Sequence, residues 1–254
     1  MALSSPYLKL LETVTPHLID GNPLLSLTKG LRSEDPIFIS DYLSQTLGNK
    51  TPIAVLSGPN LALEIAKKQP SATVIASKDV SVATHFQNLL SNGYFRVYRS
   101  SDMRGVELGG VLKNIMAIAA GIVDGLQLGH NAKAALMARG LQEMIRFGTA
   151  FGAESHTFSG LSGLGDLIAT CESPLSRNRT VGEALSKTQD IPAYLSSLTV
   201  TAEGINTAKN VWKIAQDQQI DMPITEALFG VLVHGHSPRK SIESLMNRTL
   251  KSEQ

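Results

Sequence analysis

The sequence predicts an α/β fold that gives way to an all-helical one: a parallel sheet with packed helices over residues 1–100, then a helical domain over 101–254. Two observations carry this. Through the first hundred residues, short β-branched and aromatic runs alternate with helical patterns, which is the spacing of a sheet covered by helices. Beyond about residue 100, strand-like runs nearly vanish, and long segments rich in Ala, Leu and Met replace them.

The elements follow in order. Residues 1–21 read as an amphipathic helix, with Leu8, Leu11 and Leu18 near one face and Pro16 towards its end. Four strands are expected: 23–28, halted by Lys29 and Gly30; 53–56, halted by Ser57-Gly58-Pro59; 71–76; and 94–98. Helices fill the intervals at 37–48, 60–68 and 79–92. The junction falls near Arg99 to Asp102. Long helices are then expected at 103–124, 131–152 and 201–219, with shorter ones at 163–170, 176–186, 224–234 and 239–250.

Composition narrows the function. The chain has 254 residues, is 43% apolar and has a formal charge of +1. Near-neutrality removes the clustered-cation footprint of a nucleic-acid binder. A single cysteine, Cys171, excludes an intramolecular disulfide and a cysteine-rich metal site. The opening residues lack the basic start and unbroken apolar stretch of a signal peptide. The longest apolar stretch, Ile115 to Val123, is too short for a bilayer, so no membrane insertion is expected. A cytoplasmic protein is the default.

Several segments could carry chemistry. From Leu108 to Val123, Lys113 is the only charged residue and Asn114 its only ordinary polar companion. A helix apolar on nearly every face is buried. A lysine within it either serves as an acid/base group facing a site or snorkels at the helix edge. Gly160, Gly163 and Gly165 lead into Asp166 at a helix start. That carboxylate is either an N-cap or the partner of a buried lysine. Ser176-Arg177-Asn178 offers hydroxyl, guanidinium and amide donors at another helix start, which suits a phosphate or an ordinary solvated loop. Lys29 and Gly58 each close a strand, where ligands gather in open α/β sheets. Glu203 reads alone as a helix N-terminal carboxylate. His234 and His236 lack the acidic or sulfur partners of a metal site, so none is expected. No Gly-x-Gly-x-x-Gly follows a strand, and no nucleophile elbow or Walker loop is present.

In order and spacing, these segments resemble the bacterial-type NAD(P)-dependent glycerol-3-phosphate dehydrogenases from about residue 8 to 246. The carrying residues are Thr28-Lys29-Gly30-Leu31, Ser57-Gly58-Pro59, Gly105 to Gly110 running into Lys113-Asn114, Gly163 to Leu167, Ser176 to Arg179, Glu203-Gly204 and Met222-Pro223-Ile224. The resemblance implies a Rossmann-like first domain and a helical substrate domain. It also implies reversible reduction of dihydroxyacetone phosphate to sn-glycerol 3-phosphate with NAD or NADP as cofactor, feeding glycerophospholipid synthesis. Lys113 then matches the catalytic acid/base. Lys29, Gly58, Asn60, Lys113, Asp166, Ser176, Arg177 and Asn178 match substrate-binding positions, with Arg177 and Asn178 taking the phosphate. Lys29, Ala62, Arg177, Thr201 and Glu203 match cofactor-contacting ones. The partner is a small molecule, and a homodimer is the default assembly.

Three departures accompany the likeness. Asn60 stands where the family usually has Ser or Thr, and Thr201 where an aliphatic residue is usual. The family's opening strand, glycine-rich turn, first helix and following strands have no counterpart, a pair of βαβ units each of ~30 residues. Their loss is expected to weaken cofactor binding severely and leave a sheet edge exposed, so the chain is expected to be a truncated form, impaired in stability or turnover. The alternative reading is a non-catalytic remnant that serves as a phosphate-ligand-binding or dimerisation module.

Overall fold

A four-stranded sheet stands at the front of the chain: β1 (Leu24–Ser26), β2 (Ile53–Ser57), β3 (Ser71–Ser77) and β4 (Phe95–Ser100), adjacent in that order. The computed structural model describes residues 13, 17, 21–32, 38–48, 51–198, 203–250 and 252, so the expected helix over 1–21 falls almost wholly outside the described residues.

Strand direction corrects the sequence expectation in one respect: the sheet is mixed. β1–β2 and β3–β4 pair parallel, whereas β2–β3 pair antiparallel, with Val55 opposite Ala76 and Ser57 opposite Val74. The connections explain this. A parallel pair needs a crossover long enough to carry the chain back to the starting end of the sheet. α1 (Ile39–Leu47) lies within the β1–β2 crossover and α3 (Val80–Leu90) supplies that between β3 and β4. Between β2 and β3 the only helix is α2 (Ala62–Ala66), five residues long, shorter than the helix expected over 60–68. The chain therefore turns back beside the strand it has just left.

β2 is buried along its whole length, as a strand covered on both faces must be. Its alternate side chains meet different partners. Ala54 and Leu56 join Ile75, Val97 and the Val82, Ala83 and Phe86 face of α3, while Val55 and Ala76 meet Val106. That last residue belongs to α4 (Met103–Gly125), capped by Asp102, whose carboxylate accepts the Gly105 amide at 2.8 Å.

α4 is the axis of the helical half. Every residue from Gly105 to Ile118 is buried, and the helix packs against β2, α5 (Gly129–Ala150), α6 (Asp166–Glu172), α7 (Arg177–Lys187) and α9 (Glu203–Asp217). Its length corrects another expectation. With 23 residues it is by length and composition apolar enough to cross a bilayer, and 94% of its most apolar stretch is buried within the protein. Among the described residues the remaining α-helices are α8 (Ile191–Ser197), α10 (Pro223–His234) and α11 (Pro238–Met246). α8 was not expected. Asp190 starts it by accepting the Ala193 amide at 2.9 Å, with Pro192 in the first turn.

Candidate active site

One buried carboxylate gathers two lysines from distant parts of the chain. Lys29, in the loop after β1, reaches past the end of β2 to donate to the Gly58 carbonyl at 3.1 Å and to Asp166 Oδ2 at 2.6 Å. Lys113, at the middle of α4, donates to Asp166 Oδ1 and to the Thr170 hydroxyl at 2.7 Å. Thr170 lies one turn beyond Asp166 on α6 and donates to the same Oδ1 at 3.2 Å.

The local sequence explains the meeting. A single π turn over Leu161–Gly165 precedes α6, and its Gly165 amide donates back to the Gly160 carbonyl at 3.0 Å. That turn lies directly on α4. A Cβ at Gly109 would run into the Ser162 carbonyl oxygen, so only glycine lets the two backbones come this close. Gly109 lies one helical turn before Lys113 and therefore on the same face. The close approach is what brings Asp166, the first residue of α6, over the lysine. Asp166 is thus the lysine partner and makes no cap of its own helix.

Electrostatics follow from this geometry. Lys113 and Asp166 are 7% and 2% exposed. Burial is the main force on the Lys113 amine, with repulsion from Lys29 next. Asp166 opposes both, and the pKa still falls from the ordinary 10.5 to about 8. An ammonium has three donors. Two are engaged by Asp166 and Thr170, and no described residue is recorded as accepting from the third.

The other expected residues divide into two sets. Asn178, on α7, donates to Asn114 Oδ1 at 3.0 Å and accepts the Gly204 amide at 3.0 Å, tying α4, α7 and α9 together beside Lys113. Ser176 caps α7 by accepting the Arg179 amide at 3.3 Å. Asn60 donates to the Thr73 hydroxyl at 2.9 Å, and that hydroxyl donates to the Ser57 carbonyl at 3.0 Å, next to Gly58. No hydrogen bond or ion pair links Arg177 or Ala62 to the lysine cluster; both are exposed, at the first positions of α7 and α2. Glu203 is the first residue of α9, half-buried beside Gly204. Thr201 lies outside the described residues.

Thr170 and Asn114 are the contacts that sequence reading left without a role. The signal for Thr170 was its spacing of four from Asp166 on an expected helix, which puts both side chains on one face.

The family is decided by the comparisons. The profile described as NAD-dependent glycerol-3-phosphate dehydrogenase C-terminus matches residues 102–243, and its N-terminal counterpart matches residues 2–83. The chain belongs to this family. A glycerol-3-phosphate dehydrogenase [NAD(P)+] from Gloeobacter violaceus is 54% identical over 244 residues, 95% of this chain and 79% of that protein. The one from Oleidesulfovibrio alaskensis is 43% identical over 96% of this chain and 74% of its own length. The crystal structure of glycerol-3-phosphate dehydrogenase from Coxiella burnetii superposes with a TM-score of 0.91 at 37% identity, covering 97% of this chain and 76% of that one. The family likeness thus runs through the sheet as well as the helical half.

Proposed function

We propose that this chain catalyses the reversible reduction of dihydroxyacetone phosphate to sn-glycerol 3-phosphate with NADH or NADPH, a step that feeds glycerophospholipid synthesis. The observation that carries the reading is a lysine buried in mid-helix, held by a buried carboxylate and left with one free donor. A module that only binds or dimerises has no physical need to bury such a pair.

The residues present fit ligands that bear phosphate. The Arg177 guanidinium is exposed, has no hydrogen-bond or ion-pair partner among the described residues, and sits in the first turn of an 11-residue helix. Oriented amides, the helix dipole and a forked cation there all favour a phosphate. Lys29, Gly58, Asn60, Asp166, Ser176, Arg177 and Asn178 are assigned to the substrate. Lys29, Ala62, Arg177, Thr201 and Glu203 are assigned to the cofactor. When bound, the nicotinamide supplies the hydride.

The chain's own part is proton transfer and charge stabilisation. During reduction, the free Lys113 donor faces the carbonyl oxygen, stabilises the negative charge that develops there and gives up its proton. In the oxidative direction the neutral amine takes the hydroxyl proton. Asp166 and Thr170 fix where the Lys113 nitrogen points. Lys29 adds positive charge on the opposite side of the same carboxylate, so the cluster keeps a net positive charge that favours an anionic ligand.

This reading places the domain boundary at 100/101, so that Lys29, Gly58, Asn60 and Ala62 come from the sheet side and the remaining site residues from the helical side. It carries with it a cytoplasmic location and a homodimeric assembly, for which sedimentation at micromolar concentration is the check. The main test is turnover of dihydroxyacetone phosphate with NADH and NADPH beside a Lys113→Ala variant. We expect the variant to lose about 10²–10⁴-fold in rate. Equal rates in the two proteins would refute the assignment.

A further inference from the structure

A cavity lies in the helical half and shares no residue with the lysine cluster. It encloses ≈ 700 Å³ between α5, the end of α4, the start of α10, and α11 with the segment that follows it. Its floor is apolar: Leu128, Ala132, Leu136, Ile242 and Leu245. Three arginines, Arg139, Arg146 and Arg248, line it as well. Spacing puts most of this wall on one helix face. Ala132, Leu136, Arg139, Glu143 and Arg146 succeed one another on α5 at intervals of three or four, so the apolar stripe runs directly into the cations.

These cations are only partly neutralised by the described acids around them. Arg139 is exposed and forms no hydrogen bond or ion pair with a described residue. Arg146 and Arg248 share a single carboxylate, that of Asp221, at 3.9 and 3.2 Å. The other acid in the wall, Glu143, is fully buried and turned to α10, where it accepts the Ile224 and Thr225 amides and the Thr225 hydroxyl, at 2.5, 3.2 and 2.9 Å. Burial also pushes its carboxyl up to about 7, which further reduces its negative charge near neutrality.

We propose that this cavity binds a single-chain amphiphilic anion: an alkyl or acyl chain along the Leu128, Leu136 and Leu245 floor, with a carboxylate or phosphate head at Arg139 and Arg248. The volume is that of a small-molecule pocket. An apolar floor alone would accept any hydrophobe, and the surplus of guanidinium is what selects an anion, since Arg pairs carboxylate or phosphate in bidentate fashion. The site is separate from the proposed dehydrogenase reaction and does not depend on it.

Calorimetry on the full chain, below micelle-forming concentrations, tests this with decanoate, dodecanoate, dodecyl phosphate and the neutral dodecanol. Burial of each methylene strengthens binding about fourfold, so dodecanoate should bind on the order of 15-fold tighter than decanoate. Dodecanol should bind at least about tenfold more weakly than either dodecyl anion, because it forgoes the guanidinium pair. Tighter binding of the phosphate or of the carboxylate identifies which head group the site takes. Arg139→Gln should weaken both anions and leave dodecanol unchanged, and Leu136→Trp, which fills the floor, should abolish binding of all. If Leu136→Trp fails to fold, Ala132→Leu gives a smaller block of the same floor. Equal affinity for dodecanol and dodecanoate, no binding of any probe, or unchanged binding in the filled variant would overturn the proposal. So would a dimer that Leu136→Trp dissociates, since a second copy of the chain would then be the occupant.

Discussion

Replacing Asp166 by Asn tests the centre of the proposed site, because it removes one charge that two lysines share while nearly preserving shape. At the 2.6 Å Lys29–Asp166 separation, a unit pair attracts by about 6 kcal/mol at an effective dielectric of about 20. Desolvation of the ions offsets part of that, and measured losses on breaking a buried pair are about 3–5 kcal/mol. For a chain of this size each kcal/mol moves Tm by roughly 2–4 °C. The variant should therefore melt on the order of 10 °C lower near pH 6, where Lys113 is charged in the native protein.

The deficit should also depend on pH, with a definite sign. The folded pKa of Lys113 lies at about 8, below its ordinary 10.5. Without the carboxylate, which raises that value, it falls further. A lowered amine pKa means the unfolded chain binds more protons, so stability rises with pH across the window between the two values. In the variant the window opens below 8. The gap to the native protein should be widest near pH 6 and narrower by about pH 9, where Lys113 is neutral in both proteins and only the Lys29 pair distinguishes them. Thermal melts followed by circular dichroism at both pH values suffice. A deficit under about 3 °C near pH 6, or one that stays constant or widens towards pH 9, would refute the charge-sharing account.

Three further outcomes follow from the same geometry. The kcat/KM for reduction should fall about tenfold per unit above pH 8, while that for oxidation should rise through the same value, because one direction needs the ammonium and the other the amine. Initial rates in both directions across that range are the check. Glu143 is raised from 4.5 to about 7 by burial, so its stability contribution is full below about 4.5 and is lost as pH rises through 7, on the order of 3 kcal/mol. Urea unfolding near pH 5 and pH 8 should show that decline in the native protein but not in Glu143→Gln, even though the variant is less stable throughout from one mismatched acceptor. Gly182→Ala should cost about 1–3 kcal/mol or more, because the added methyl meets the Ile118 carbonyl where α4 and α7 touch through Gly121 and Gly182. A melting temperature within about 1 °C of the native one would show that α7 can move aside.

Much of the architecture was legible in the residue pattern. The runs read at 53–56, 71–76 and 94–98 are strands, at 53–57, 71–77 and 95–100, and the apolar stretch around Lys113 is a buried helix, because apolar content drives burial and local periodicity records which face is covered. The antiparallel turn between β2 and β3 was not legible. A helical pattern over 60–68 implied a full crossover, and only five of those residues form the helix.

The site divides along the same line. By itself the sequence determined that Lys113 lies in an apolar, buried helix, where it either faces a site or snorkels at the edge, that Lys29 and Gly58 follow strand-like runs, and that Gly160, Gly163 and Gly165 lead into Asp166 at a helix start. Only the tertiary structure decided that Asp166 partners Lys29 and Lys113 instead of capping its helix, that Thr170 accepts a second hydrogen bond from the Lys113 ammonium, and that Asn178 bridges α4 and α9. The reason is physical. Periodicity and turn chemistry act over a few residues, whereas Asp166 meets residues 53 and 137 positions away. Such a meeting depends on how closely two helix backbones can pack, which glycine at position 109 permits and which no local pattern encodes.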